Sequence, residues 1–262
     1  MEYHLRIILF LGINLFLQTH SLLAQQNLFN IPSGDITPKR KVFYQHQFNF
    51  YRDITFESKS HFVYGLGKGI DVGINLINLK FDLGRNRRNL IVINDLPTYD
   101  PVSPMMLATF QKGFKPHKKF KVNIGTQVGT NIIERGNGNH LGHFTYTLAT
   151  YEPIKGNHTR IVFGSYFTNN AFVGRGNDFG YMLGYEIPLN KRWYLMGDFI
   201  SGNHSNSVAV LGGMYNISKN VQLCFGALLP NFNNVDTTEG FVLELNLLGW
   251  DFWQDNQEEL RD

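Results

Sequence analysis

The chain has 262 residues, of which 43% are hydrophobic, 14% aromatic and 17% charged, with a formal net charge of +3. Abundant aromatic and aliphatic side chains with little net charge exclude a disordered chain, because there is enough apolar surface to offset the entropy of folding. After the first two dozen residues no stretch approaches the ~18 uninterrupted apolar residues of a spanning helix, and so weak a positive charge gives no reason to expect nucleic acid as a partner.

Residues 1–24 read as a signal peptide. Arg6 supplies a positive start, Ile7–Leu17 an apolar core of h-region length, and Ala24 a small residue before Gln25-Gln26. Residues 25–40 are expected to form a periplasmic segment, 41–253 the folded unit and 254–262 a polar tail. The single thiol, Cys224, cannot form an internal disulfide.

From residue 41 onward the chain alternates with period two, the mark of strands with one apolar face. In Val42–Phe50 the even positions are mostly aromatic or apolar and the odd ones mostly polar, and Phe120–Val128 repeats the pattern. The apolar phase slips near Leu76-Ile77, as at a bulge or the end of a membrane section. About twelve strands are expected, near 41–51, 54–66, 69–82, 105–115, 119–130, 140–152, 158–169, 178–188, 192–201, 207–217, 219–230 and 239–250. Most reach the ~9–11 residues that cross a bilayer as tilted strands.

The connections after the even strands are short, and most of the others are longer and polar; the join around Arg52-Asp53 is an exception. Short and long connections in alternation characterise an outer-membrane barrel, with turns in the periplasm and loops outside. The expected fold is therefore all-β, a closed antiparallel up-and-down transmembrane β-barrel of about twelve strands. Tyr64, Phe114, Trp193, Trp250 and Trp253 all fall at the periplasmic ends, where an interfacial aromatic girdle belongs.

The signal ending Leu22-Leu-Ala-Gln25, the hairpin Tyr64-Gly-Leu-Gly-Lys-Gly-Ile-Asp-Val-Gly73 and the segment Trp193-Tyr-Leu-Met-Gly-Asp-Phe-Ile-Ser-Gly202 carry a resemblance over nearly the whole mature chain. It resembles the small porin-like outer-membrane β-barrel proteins of Gram-negative bacteria, especially those of the Bacteroidota type. The resemblance implies a place in the cell outer membrane, with membrane lipid and lipopolysaccharide around it and the barrel-assembly machinery as a partner. Such barrels often end on an aromatic residue, whereas Gln254–Asp262 trails beyond Trp253 here.

With the apolar face toward lipid, the alternate face lines the lumen. That places inside Gln45, Gln47, Asn49, Glu57, Lys59, His61, Asp71, Asn75, Lys121, Asn123, Gln127, Arg160, Asp178, Glu186, Asp198, Glu244 and Asn246, together with several glycines. Two functions fit this set. One is a polar channel for passive passage of small polar or aromatic solutes, with inward acids favouring cations. The other is a structural or adhesive barrel whose lumen is plugged by pairing of the same groups. The loop cluster Arg85, Arg87 and Arg88 would face lipopolysaccharide phosphates or be merely solvated.

Catalytic signals are thin, and no cofactor, metal ligand or catalytic residue is expected. Gly65-Leu-Gly-Lys-Gly69 reads as a hairpin turn, since no Ser or Thr follows the lysine. His140 and His143 have opposite parity. His204, adjacent to Ser205 and three residues from Ser207, is the nearest approach to a rim hydrolase.

Overall fold

The computed structural model describes residues 27–84, 90–153, 159–231 and 237–249. The signal segment, Arg85, Arg87, Arg88, Trp250, Trp253 and the polar tail lie outside the described residues. Thirteen strands follow in order: β1 (Val42–Tyr51), β2 (Thr55–Gly67), β3 (Ile70–Asp82), β4 (Ile91–Val92), β5 (Met105–His117), β6 (Phe120–Asn131), β7 (Leu141–Tyr151), β8 (Arg160–Thr168), β9 (Phe179–Pro188), β10 (Trp193–Ile200), β11 (Val208–Asn216), β12 (Val221–Pro230) and β13 (Gly240–Leu248). Among the described residues one short helix, α1 (Asn170–Val173), lies in the loop between β8 and β9.

Neighbouring strands pair antiparallel around a ring, which β1 and β13 close from Phe43↔Leu248 to Tyr51↔Gly240. Twelve strands form the ring, and the two-residue β4 hangs on the outer end of β3. Closure follows from the solvent. Hydrocarbon offers backbone N–H and C=O groups no partner, so an unpaired edge would cost several kcal/mol per group.

Side chains sort by parity as the alternation requires. The outward positions present an apolar belt that includes Phe62, Ile74, Phe110, Ile124, Leu183 and Leu211, each about half exposed. Most inward positions are buried, and others, among them Lys59, His61 and Gln127, are partly exposed to the lumen. Tyr64, Phe114 and Trp193 stand exposed at the short-turn end, and Trp193 packs on Tyr215 at a 4.6 Å ring separation. A closed barrel with this exterior is an outer-membrane-type barrel.

The slip near Leu76-Ile77 is a register shift in the β2–β3 ladder, between Ser58 and Ser60. Asn78 absorbs it in the left-handed region at φ 56°, which a short polar side chain tolerates. Its amide donates to the carbonyl of Val102 at 2.9 Å. Beyond the slip the inward parity changes from odd to even, so that Asn78 and Lys80 continue the inner face.

The segment before β1 departs from expectation. It does not lie in the periplasm: residues 27–40 turn into the barrel and fill part of it. Leu28, Phe29 and Ile31 are at most 2% exposed. The sequence explains why they enter. Each such side chain gains about 1.5–3 kcal/mol by leaving water, and the wall they meet from β7 to β12 is itself apolar on its inner face, with Leu148, Met182, Met196 and Met214 fully buried. Inward glycines make the room: a Cβ at Gly184 would lie 2.3 Å from Leu28 Cδ1, and one at Gly226 would lie 3.1 Å from Phe29 Cζ.

The segment crosses the periplasmic rim against Gly65. Arg40 N–H donates to the Gly65 carbonyl at 2.9 Å and Gly65 N–H to the Lys41 carbonyl at 3.0 Å. A Cβ here would meet the backbone, 2.0 Å from the Pro38 carbonyl oxygen and 2.3 Å from that of Thr37. Gly65→Ala is therefore expected to weaken docking of the segment by about 1–3 kcal/mol, the cost of overpacking a tight contact. Trypsin should cut the folded, detergent-solubilised variant at Lys39–Lys41 faster than the parent protein, while the barrel keeps its heat-modifiable gel mobility.

Candidate functional site: an internal plug below an outward-facing cavity

The plug, residues 27–41, is held by polar groups that reach it from most of the way around the barrel. Asp35 is the principal anchor. Its carboxylate accepts from Lys121 Nζ of β6 at 3.1 Å and from Arg160 Nη1 of β8 at 2.7 Å. Arg160 also meets Glu186 of β9 at 2.7 Å, and Lys121 meets Glu152 at 2.8 Å. Burial opposes the charge on Asp35, but the two cations outweigh it and hold its carboxyl below the usual aspartate range.

Further contacts fix the path of the plug. Asp71 of β3 accepts from Thr37 N–H at 2.9 Å. Thr150 of β7 donates to the Ser33 carbonyl at 3.1 Å, and Gln111 of β5 to the Asp35 carbonyl at 3.0 Å. Asp198 of β10 accepts from Ile31 N–H at 3.1 Å and also from Asn30 N–H. These side chains satisfy backbone groups that the irregular plug would otherwise bury unpaired.

On the loop side of the plug lies a cavity of ≈ 120 Å³. Asn27, Phe29 and Asn30 of the plug form its floor. One side is an interlocked row of amides. Asn27 donates to Gln45 Oε1, and Gln47 Nε2 donates to Asn49 Oδ1 at 2.8 Å and to Asn30 Oδ1 at 3.2 Å. Asn75 donates to Gln127 Oε1 at 2.8 Å and also contacts His61. The other side is apolar, with Phe144, Phe172, Ile200, Val208 and Leu228. Tyr51, Asn78 and Asn206 join this chamber to a second of ≈ 80 Å³ nearer the mouth, which Asp53, Glu57, Lys80 and Asp100 also line. Glu57 is neutralised locally by Lys59 Nζ at 3.3 Å and accepts from Tyr51 and Asn49.

Of the residues expected to face the lumen, Gln45, Gln47, Asn49, Lys59, His61, Asn75 and Gln127 border the inner cavity, and Glu57 borders the outer one. Asp71, Lys121, Arg160 and Asp198 hold the plug instead, and Asn123 packs beneath Gly34. Glu244 and Asn246 are fully buried against each other at 2.8 Å, next to Cys224. Asp178 is a correction: it is exposed in the loop before β9, which begins one residue later, so its parity carries no inward direction. Arg85, Arg87 and Arg88 fall outside the described residues.

Sequence reasoning missed Asp35, Phe29, Tyr51, Phe144 and Phe172. The available signal was the apolar run Leu28-Phe29-Asn30-Ile31, out of character for a solvated linker, and apolar residues on both faces of β7–β12.

The outer loops fold over the cavity. α1 sits at the centre: its Ala171 carbonyl accepts from Val102 N–H at 2.9 Å, its Val173 carbonyl from Ser205 N–H at 3.2 Å, and Phe172 stacks on Phe144 at 5.3 Å. Tyr166, His204 and Ser207 form a string, with Tyr166 OH to His204 Nε2 at 2.8 Å and His204 Nδ1 to Ser207 Oγ at 3.0 Å. His204 and Ser207 are fully buried, and burial lowers His204 to about 4, so the ring is neutral at pH 7. The string ties the β10–β11 loop to β8. His140 and His143 do not converge, since His143 packs outward on Phe167 at 5.2 Å and His140 bonds the Asn137 carbonyl.

Asp95 joins two of these loops. It accepts from Asn137 Nδ2 at 3.0 Å and from the N–H groups of Arg135 and Asn137 at 2.6 and 3.2 Å, and these bonds lower its pKa to about 2. Its folded value lies below the unfolded 3.8, so this anchor is complete above about pH 4 and is lost only as pH falls toward 2. Asp95→Ala should make the exposed Arg135 a markedly faster trypsin site at neutral pH, with no change in barrel heat stability.

No protein-family model and no curated protein matches the chain. Solved structures do. The KdgM porin superposes with a TM-score of 0.51 at 8% identity, covering 79% of this chain and 98% of that one. An outer membrane channel from Pseudomonas putida F1 gives 0.49 at 10% identity, over 84% and 99%. The Ralstonia pickettii toluene transporter TbuX gives 0.41 at 10% identity, over 88% and 97%. The chain thus shares its twelve-stranded barrel fold with an outer-membrane porin.

Proposed function

We propose that the protein is an outer-membrane channel held closed by its own N-terminal segment, and that its open state passes small, uncharged polar or aromatic solutes. The observation that carries this reading is the division of the lumen: an outward-facing chamber ends on a floor made by the plug itself, through Asn27, Phe29 and Asn30. A solute that fills the chamber touches the element that must move. The fold shared with a porin supports the reading. Amides and aromatic rings dominate the chamber, and Lys59 there is already paired with Glu57, so the site offers hydrogen bonds and flat apolar surface rather than net charge.

A plugged structural barrel is the second reading. The apolar packing of Leu28, Phe29 and Ile31 favours it, since nothing in those contacts is costly to leave in place.

Planar-bilayer conductance separates the two. The full chain should show few or no steady conductance steps at neutral pH. Deleting residues 27–37 should produce them while leaving the closed ring of strands intact. Asp35→Asn removes the ionic grip of Lys121 and Arg160, weakening plug docking by about 3 kcal/mol, and should give intermittent openings. Because the Asp35 pKa is lowered from 3.8, its grip is at full strength above about pH 5 and fails only as pH drops through that lowered value. Closure should accordingly be flat from about pH 5 to 8. A deletion variant that folds but stays silent would defeat the channel reading and leave the structural one.

A further inference from the structure

The described bases of the turn end are distributed around its whole rim. Each of the four periplasmic turns described in full carries exposed base: Lys68 between β2 and β3, Lys118 and Lys119 between β5 and β6, Lys191 and Arg192 between β9 and β10, and Lys219 between β11 and β12. Lys39, Arg40 and Lys41 add to the ring where the plug crosses the rim, and Lys115 stands exposed near the end of β5. Among the described residues, the one carboxylate with appreciable exposure at this end is Glu152, and Lys121 already engages it at 2.8 Å. The loop end is mixed, with exposed Asp53, Asp100, Glu134, Asp178 and Glu239 against Arg52, Arg135 and Arg175.

We infer that this ring is a collar for anionic phospholipid headgroups in the periplasm-facing leaflet. Three observations favour lipid over an acidic protein. The bases surround the barrel, as lipids do, whereas a protein partner would engage one sector. They stand directly beneath the apolar belt, at the level of the exposed rings of Tyr64, Phe114, Phe120 and Trp193. One of them is also fixed to that girdle, Arg192 Nη1 bonding Tyr215 OH at 3.1 Å, and the half-buried Lys112, which donates to the Lys68 carbonyl, lies over the Phe114 ring at 5.4 Å. A long basic side chain that lies along an aromatic ring and ends at headgroup depth is placed to meet a phosphate. Such a collar would select a phosphoglycerol headgroup over a zwitterionic one and hold the barrel at a fixed depth.

The test uses the full chain in nanodiscs made from equal parts phosphatidylglycerol and phosphatidylethanolamine, with lipids retained after mild detergent extraction counted by native mass spectrometry. Phosphatidylglycerol should be enriched by roughly fivefold at low salt, falling to parity near 1 M salt, where the Debye length is ~3 Å. The variant K115Q/K118Q/K119Q should lose much of the enrichment, and the loop-end variant R52Q/R135Q/R175Q should keep it. Should the first variant fail to insert, the salt titration of the parent protein decides alone. Equal retention of the two lipids at low salt, or equal loss of enrichment from both variants, would overturn the inference.

Discussion

Everything in this molecule follows from the absence of hydrogen-bond partners in hydrocarbon. A chain that crosses the bilayer as strands must pair every backbone group within itself, and the β1–β13 ladder is where that requirement is met. Once the ring is closed, side chains have two destinations. Outward positions become apolar because lipid surrounds them, and inward positions enclose a space of fixed circumference. The N-terminal segment and the inward side chains share that space, and they determine what the protein can do.

Those contents divide by sector and by height. From β7 to β12 the inner wall is largely apolar, and Leu28, Phe29 and Ile31 pack on it as they would in a soluble core. From β1 to β3 and at β6 the wall is rich in amides and bonds to itself, to the plug and to the cavity. Toward the periplasm Asp35 draws Lys121 and Arg160 together, and Glu186 completes the set, so that two carboxylates meet two cations inside the barrel. Asp35 is thus the ionic anchor of a plug that apolar packing and backbone hydrogen bonds also hold.

How far the sequence reveals this depends on whether the signal is local. Strand identity, parity and the alternation of short and long joins are local, and they give the ring, its exterior and most inward side chains. Asp178 shows the limit of parity: the rule holds only within a ladder, and that residue stands just before one. The plug shows a deeper limit. Asn27–Lys41 has no periodicity to read, and its partners, among them Thr150, Arg160 and Asp198, lie more than a hundred residues away. The composition of Leu28–Ile31 signals burial but names no partner. α1 is likewise hidden, because four residues carry no helical period; its place is set by the capping Asn169 and by Phe172 meeting Phe144.

That residues 27–37 occupy the barrel interior is tested most directly by a cross-link. A Cβ at Gly113 would lie 2.8 Å from Ile36 Cγ1, which brings the two positions within reach of a disulfide. In membranes carrying Ile36→Cys together with Gly113→Cys, mild oxidation should join the two segments in most molecules, and tryptic fragments from residues 27–39 and from β5 should run together until reduced. If those fragments separate without reduction, in protein that is otherwise folded, the segment does not lie in the lumen.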